Sequence, residues 1–574
     1  MAETLISPGV LSIENDQSFI TQQPVTVGAA IIGPTVKGPV EVPTIVTSYS
    51  QYQNIFGTTF TSASNVYTYF TSIAAYNYFN NGGQTLLVSR VVSGTFSPAT
   101  SSAISASTQA ASQPSFVLET LSEGVIMNSS SSLDSSGALL SGSMNNIRWQ
   151  ITNADTSSGT FALLIRQGDD NTNNQTVLET WTGLSLDPTA PNFISKVLGD
   201  QTQNYNSTNV QMEYSGSYPN ASKYVRVKSV NLLTPNYFDN AGTPKNQYTS
   251  SIPLNASGSF GDAVGSLATG VNAKYYDNIV SGVTNTQGLT GSDYNNMINL
   301  LSNQDDYRFN VLITPGLFSA EAPVGASQIT SIINNTQNRG DNIYVVDLVT
   351  YNGSQTSAIS TANALNTSYA ASYWPWVQTI DPDSAQRVWV PASTMVAGVY
   401  AYNDNVSEPW FAPAGINRGG LSNVVRAAQK LSQANRDALY SNKINPIATF
   451  PGNGVVLYGQ KTLQTKASAL DRVNVRRLLI SLKSYIGQVA NNLVFEQNSI
   501  ATRNAFLSQV NPYLTSVQQR QGLYAFKVVM DDTNNTPDVI DRNQLVGQIY
   551  LQPTKTAEFI YLNFNILPTG VSFG

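Results

Sequence analysis

The sequence predicts a mixed α+β, multidomain protein. An α/β middle domain is interrupted by an inserted β-rich outer domain, and an α+β C-terminal domain follows, with extended arms at both ends. Three observations predict this. Helix and strand patterns alternate over 23–92 and again over 235–368, as in a partly parallel sheet covered by helices. Helical periodicity is lost over 93–234, where Ser-rich runs such as "NSSSSLDSSGALLSGS" separate short strands. Both ends carry apolar, alternating segments with little local structure to lie against.

Taken in order, residues 1–22 read as an N-terminal arm. Pro8-Gly9 marks a turn, and Val10, Leu11 and Ile13 belong to a brief strand. "VTVGAAIIGPTVKGPV" reads as a buried strand followed by turns. "SNVYTYFTSIAAYNYFNNGG" sets Val66, Tyr69, Phe70, Ile73 and Tyr76 at helical spacing, closed by Gly82-Gly83. "TLLVSRVV" is the next strand. In the insertion, "IRWQITNA", "GTFALLIRQ" and "YVRVKSV" are strands between polar loops. Alternation returns with "SDYNNMINLLSNQDDYRFNVLITPG" and "SQITSIINNTQNRGDNIYVVDLV", each a helix and then a strand. A last domain is expected over 369–574, dense in Pro, Trp and Gly at first. Two long helices are expected in it, from about Asn417 to Tyr440 and over about 469–495. At its end, "VGQIYLQPTKTAEFIYLNFNILPTG" reads as two strands joined by a Pro-containing turn. Ile560, Leu562, Phe564 and Ile566 share one face of the second. An apolar strand edge of this kind is an aggregation hazard unless something covers it.

Composition narrows the function. The 574 residues allow several domains, and the formal charge of −6 gives no basic signature for nucleic acid. Charged residues are only 11% of the chain, well under the usual ~25%. Such a weakly repelling polar surface suits a protein that packs against copies of itself. Cysteine and histidine are both absent, which removes disulfides, thiolate nucleophiles, Cys/His metal sites and the commonest acid–base group. Carboxylate-only glycosidase chemistry stays open. No apolar run is long enough to span a membrane, and "MAETLISPGV" lacks the features of a secretory signal. A soluble chain without a cleaved leader is expected.

Few motifs carry chemistry. "GPTVKGP" and "PGNGVVLYG" lack the Lys-Ser/Thr of a phosphate loop and read as turn glycines. Asp381-Pro382-Asp383 and Asp531-Asp532 read as solvated turns. "DSAQR" and "DRNQ" read as surface ion pairs. No catalytic, cofactor-binding or metal-binding residue is assigned. The expected helix over 469–495 says more. Val475, Leu478, Leu479, Leu482, Ile486, Val489 and Leu493 form an apolar stripe, flanked by Arg472, Arg476 and Lys483, while Arg477 points elsewhere. Residues 461–483 hold six basic residues and one Asp. That stretch is either a solvated helix face or a surface for an acidic partner.

Five blocks in order carry a family resemblance. They are "SPGVLSIEND", "AAIIGPTVKGPVEVPTIVTSYSQYQNIFG", "VPASTMVAGVYAYND" with "PWFAPAG", "NPIATFPGNGVVLYGQKTL" with "NVRRLLISLKSYIGQVANNLVFEQNS", and "GLYAFKVVMDDTNNTPDVIDRNQLVGQIYLQPTKTAEFIYLNF". Together they resemble the contractile tail sheath proteins of myophages over 1–92 and 369–574. One departure is Leu457-Tyr458, in a block where the family commonly has tryptophan.

The resemblance implies a non-enzymatic structural subunit that needs no cofactor. It implies helical rings of the chain itself around a tail tube protein, with baseplate and tail terminator proteins as further partners. It implies no direct nucleic acid contact and no membrane insertion, in a virion tail assembled in the host cytoplasm. The sheath would contract and drive the tube through the host envelope. Residues Val10, Leu11, Ile13, Ile560, Leu562, Phe564 and Ile566 would add strands to neighbouring copies, with "LQPTKTAEF" as a hinge. Arg472, Arg476 and Lys483 would face the tube or a neighbour. A phage-derived bacterial particle, or a trimeric tail-fibre or adhesin protein, is the alternative.

Overall fold

A computed structural model describes residues 26–62, 65–106, 113–267, 287–319 and 326–562. Its centre is an eight-stranded sheet. In chain order the strands are β1 (Thr26–Gly33), β2 (Thr44–Val46), β3 (Leu86–Arg90), β4 (Arg308–Phe318), β5 (Ile343–Asp347), β6 (Ala370–Trp374), β7 (Ile444–Phe450) and β8 (Gly454–Leu457). They lie in the order β2-β3-β1-β4-β5-β6-β7-β8. β3, β1, β4, β5, β6 and β7 run parallel, and an antiparallel strand closes each edge. Parallel strands buried on both faces read as continuous apolar runs, and "GAAIIG" is such a run. Ala29 and Ile31 point into one core, Ala30 and Ile32 into the other. Helices α1 (Phe70–Asn80) and α2 (Ser393–Val406) cover the first face, packing Ile73, Ala74, Val396 and Tyr400. Helices Asn295–Leu300, Ala326–Arg339, Gln355–Asn363 and Gln433–Ser441 cover the second.

The sheet corrects several expectations. β6, β7 and β8 belong to it, so the expected break at 368/369 falls within one continuous sheet. "ASYWPW" and "INPIATF" are apolar on both faces because they are interior strands, not the start of a new core. The Pro- and Trp-rich stretch between them is an excursion. It forms a small antiparallel sheet of Val377–Ile380, Arg387–Val390 and Val424–Ala427. The expected helix from Asn417 to Tyr440 is confined to Gln433–Ser441. Ser432 caps it, accepting the Asn435 N–H, and Gly419-Gly420 and the strand 424–427 precede it. α1 starts at Phe70, because Asn65–Thr68 is already a strand paired with Thr59–Ser62.

The insertion is a sandwich of two four-stranded antiparallel sheets. One holds Ile147–Asp155, Thr160–Gln167, Val177–Ser185 and Ala256–Gly258. The other holds Pro98–Ser101, Phe116–Glu123, Val225–Val230 and Phe260–Gly261. Phe116 and Phe161 stack between them at 5.5 Å. Its last strands reach residue 261, beyond the expected limit at 234.

The C-terminal unit packs α3 (Val473–Asn491), α4 (Ile500–Gln519), β9 (Leu523–Val529) and β10 (Gln548–Pro553). Its core joins Leu478, Leu482 and Val489 of α3 to Phe506, Val510, Leu514 and Val517 of α4. The expected stripe on α3 is therefore present, with Leu479, Ile486 and Leu493 at its margin. α4 was not anticipated. Trp410 inserts into this core from the loop after α2, donates to the Arg520 carbonyl at 3.0 Å, and ties the unit to the sheet.

Candidate inter-subunit surface at the C-terminal hairpin

β9 and β10 form a two-stranded antiparallel sheet, pairing Phe526 with Leu551 and Val528 with Ile549. These four pack toward the helices. The opposite face shows Tyr524 and Tyr550, both more than half exposed. Neither outer edge has a strand neighbour among the described residues. A lone pair of strands is marginal in water, so this one depends on its helical backing. The connection over 530–547 is organised by buried Asn535. Its side chain exchanges both bonds with the Val546 backbone, at 2.8 and 2.9 Å, and donates to the Asp531 carbonyl.

Beyond β10 the chain runs extended but unladdered. Thr554 donates to the Gln521 carbonyl at 2.7 Å. Thr556 accepts from Gln460 Nε2 at 2.6 Å. Glu558 receives four bonds: from Arg472 Nε (2.8 Å) and a second guanidinium nitrogen (3.0 Å), from the Tyr440 hydroxyl (2.8 Å) and from Gln460 Nε2 (3.0 Å). Burial pushes the Glu558 carboxyl up, but the bonds from Arg472, Tyr440 and Gln460 outweigh it and hold it below the usual range. Immediately afterwards Phe559, Ile560, Tyr561 and Leu562 are 68–88% exposed. A groove of about 1180 Å³ lies between this segment and the body, lined by Trp410, Ile416, Tyr458 and Tyr524 among others.

Ile560 and Leu562 thus stand exposed and, among the described residues, outside any strand. Val10, Leu11, Ile13, Phe564 and Ile566 lie outside the described residues. The basic trio divides. Lys483 is exposed, 3.3 Å from the Tyr369 hydroxyl. Arg472 is ion-paired to Glu558 and Asp471. Arg476 is buried, bonded to Ser368 and stacked 3.9 Å over the Tyr369 ring, and burial lowers its pKa. Arg477, also buried, pairs with Asp404 and lies over Tyr400. The basic stripe is therefore no continuous outward surface, since Arg476 turns inward to Ser368 and Tyr369, and Arg477, off that stripe, joins α3 to α2. Sequence periodicity could not separate a flank facing solvent from one facing another domain.

Other expected sites resolve as structure. Gly452 and Gly454 have φ of +81° and +69° in the β7–β8 turn, where a side chain would be strained. Asp381 is fully buried, bonded to Thr68 and Ser384. Asp383 bonds Tyr49 and Gln53. The expected solvated turn is instead tied through buried Asp381 to the strand Asn65–Thr68 and through half-buried Asp383 to the helix Tyr49–Phe56. Arg542 pairs with Asp538 at the surface, 2.6 Å away.

Residues 287–463 match the phage tail sheath protein central domain, and residues 465–567 match the phage tail sheath C-terminal domain. The tail sheath protein of Vibrio phage KVP40 is 46% identical over 209 residues, covering 36% of this chain and 31% of that protein. That of Enterobacteria phage T4 is 45% identical over 185 residues, covering 32% and 28%. The match thus spans about a third of the length of these curated relatives. Among solved structures, the helical sheath of the anti-feeding prophage in its contracted state is 15% identical. It aligns over 98% of this chain and 99% of that one, with a TM-score of 0.48. The hairpin, its helical backing, Arg472 and Glu558 fall within the second match, and Tyr440 and Gln460 within the first. Over residues 287–463 and 465–567, the chain is thus similar to the central and C-terminal domains of phage tail sheath proteins.

Proposed function

We propose that this chain is the structural subunit of a contractile phage tail sheath. It polymerises as helical rings around a tail tube and contracts to drive that tube through the host envelope. The carrying observation is the C-terminal hairpin, open at both edges among the described residues and followed, after a short extended segment, by four consecutive exposed apolar residues. A neighbouring copy's strand fits such an edge, because main-chain bonds supply affinity and alternate side chains supply register. In this reading Val10, Leu11 and Ile13 at one end, and Ile560, Leu562, Phe564 and Ile566 at the other, are the donated strands. The relatives named tail sheath proteins support it.

The magnitudes suit a polymer better than a dimer. About five ladder bonds at ~1 kcal/mol net each, with ~1.5–3 kcal/mol for each apolar side chain fully buried, are opposed by ~1–2 kcal/mol for every residue ordered. One arm in one edge is therefore weak. Two arms per subunit, held in a ring, act at high effective concentration and become strong. Flexible links to each arm would let neighbours stay joined while the body rotates. The tube, the baseplate and the tail terminator are the further partners of this reading, and it places the chain in the virion tail. No step in it requires catalysis. No helix among the described residues is long and apolar enough to cross a membrane.

Negative-stain microscopy of the purified chain, with and without tube protein, tests the proposal. Hollow helical tubes or rings are expected. Short trimeric rods would indicate a fibre or adhesin instead, and monomers alone at every concentration would overturn it.

A further inference from the structure

An arm that holds a neighbour must itself be held where it leaves the body. Residues 554–558 are extended and alternate between inward and outward. The inward side chains, Thr554, Thr556 and Glu558, are all polar and all bonded to the body. Hydrogen bonds from side chains here replace a strand ladder. The Glu558 contacts gather three separate segments: Tyr440 from the end of the helix Gln433–Ser441, Gln460 from just after β8, and Arg472 from the N-cap of α3. Lys461 supports the cluster, donating to the Tyr440 carbonyl at 2.7 Å with its Nζ 4.4 Å from that ring's centre. Asp471 pairs with the Arg472 guanidinium at 2.9 Å.

Two features separate this cluster from an incidental surface ion pair. The Arg472 and Glu558 side chains are only 24% and 17% exposed, and the guanidinium engages the carboxylate through two nitrogens, the strong and directional form of this contact. Its location is also abrupt. Glu558 is held by four bonds, yet Phe559, the next residue, is 68% exposed.

We propose that Glu558 and Arg472 form a positioning latch. It fixes the root of the C-terminal arm to its own body and aims residues from 559 onward at a neighbouring copy. The pivot of the arm then lies at 558/559, and "LQPTKTAEF" is not a hinge along its length. Arg472 serves its own chain through Glu558, and neither tube nor neighbour needs to meet it. The latch rests on the sheath reading for its consequence, but not for its existence.

The absence of cysteine makes a clean test available. A nitroxide at exposed Ala557→Cys in the full-length chain reports on the root, and the protein concentration at which polymers appear reports on assembly. The otherwise unaltered labelled chain should show a slow, ordered signal. Glu558→Gln and Arg472→Ala should each shift it to fast motion and raise the polymerisation threshold roughly tenfold or more, as expected for one charge-assisted contact. The midpoint of thermal unfolding should barely move, which a merely structural role would not allow. Because both residues act in one contact, the double variant should be no worse than either single one. An ordered label in Glu558→Gln would show that no latch exists. A freed label with an unchanged threshold, or additive effects in the double variant, would overturn the positioning role. If the otherwise unaltered chain forms no polymer at all, the sheath reading fails and takes the positioning role with it. A freed label would then still mark the contact as real.

Discussion

Charge is scarce in this chain, and much of it works inside the fold. Arg90, Arg148, Arg166, Asp170, Asp347, Arg476 and Arg477 are all buried. Asp170 bridges Arg166 and Arg148 within the sandwich. Asp347, at the end of β5, accepts the Ser393 N–H at 3.1 Å and the Ser393 hydroxyl, at the head of α2. Burial raises the Asp347 pKa to about 7, although the Ser393 bonds act the other way. An Asp in an unfolded chain titrates near 3.9. Its proton is therefore lost more readily on unfolding, and the native state is penalised once pH exceeds that value. The contribution is full below about pH 4, declines as pH rises to about 7 and is level above. Glu123, raised to about 7 chiefly by burial and opposed by Arg90, weakens the fold over the same window. Asp347→Asn keeps an acceptor for Ser393 and cannot ionise. Denaturant titrations at pH 5 and pH 8 should show a smaller loss for this variant than for the parent chain. The difference should be roughly a few kcal/mol, since each tenfold change in proton affinity on folding is worth ~1.4 kcal/mol. An equal pH dependence in both would show that Asp347 is ionised at no cost.

At the level of elements, the open hairpin is held by what lies behind and between its strands. Asn535 closes the loop over 530–547 by bonding the Val546 backbone in both directions. Asn535→Ala strands a buried donor and acceptor there, a loss of roughly 1–3 kcal/mol. Amide exchange should quicken over 523–553 while β1, β4 and β5 keep their protection, and uniform quickening would contradict this local role. Which elements were legible in the sequence follows the same physics. The parallel strands announced themselves, because "GAAIIG" and "YVVDLV" are apolar on both faces. α3 did too, through its stripe. α4 was missed although Phe506, Val510, Leu514 and Val517 recur at helical spacing, because Pro512 lies inside it and proline ordinarily breaks a helix. The expected helix from Asn417 does not begin until Gln433, because Gly419-Gly420 and the strand Val424–Ala427 come first. Of the candidate surface, the apolar alternation of Ile560 and Leu562 was visible. The Glu558 latch was not, because its four residues are up to 118 positions apart and only the fold brings them together.

For the whole molecule, the question is whether the ends are needed for folding or only for assembly. The described cores close without them. The two faces of the sheet, the sandwich and the C-terminal unit draw their buried side chains from residues 29–530. Removing residues 559–574, just beyond the latch, deletes four exposed apolar side chains, and none of the described core residues lies in that span. Removing 1–20 stops short of β1. Each truncated chain should therefore unfold within a few degrees of the full chain, since surface losses seldom exceed ~0.5 kcal/mol. Neither should polymerise, because each has lost one of the two links that the sheath reading gives a subunit. Sedimentation velocity separates the outcomes: monomers from each truncation, and long polymers only from the 574-residue chain. Long polymers from either truncation would mean that the bodies associate through other surfaces, and the open hairpin would lose its assigned role. A large drop in the unfolding midpoint would instead mean that the removed residues complete a core of their own chain.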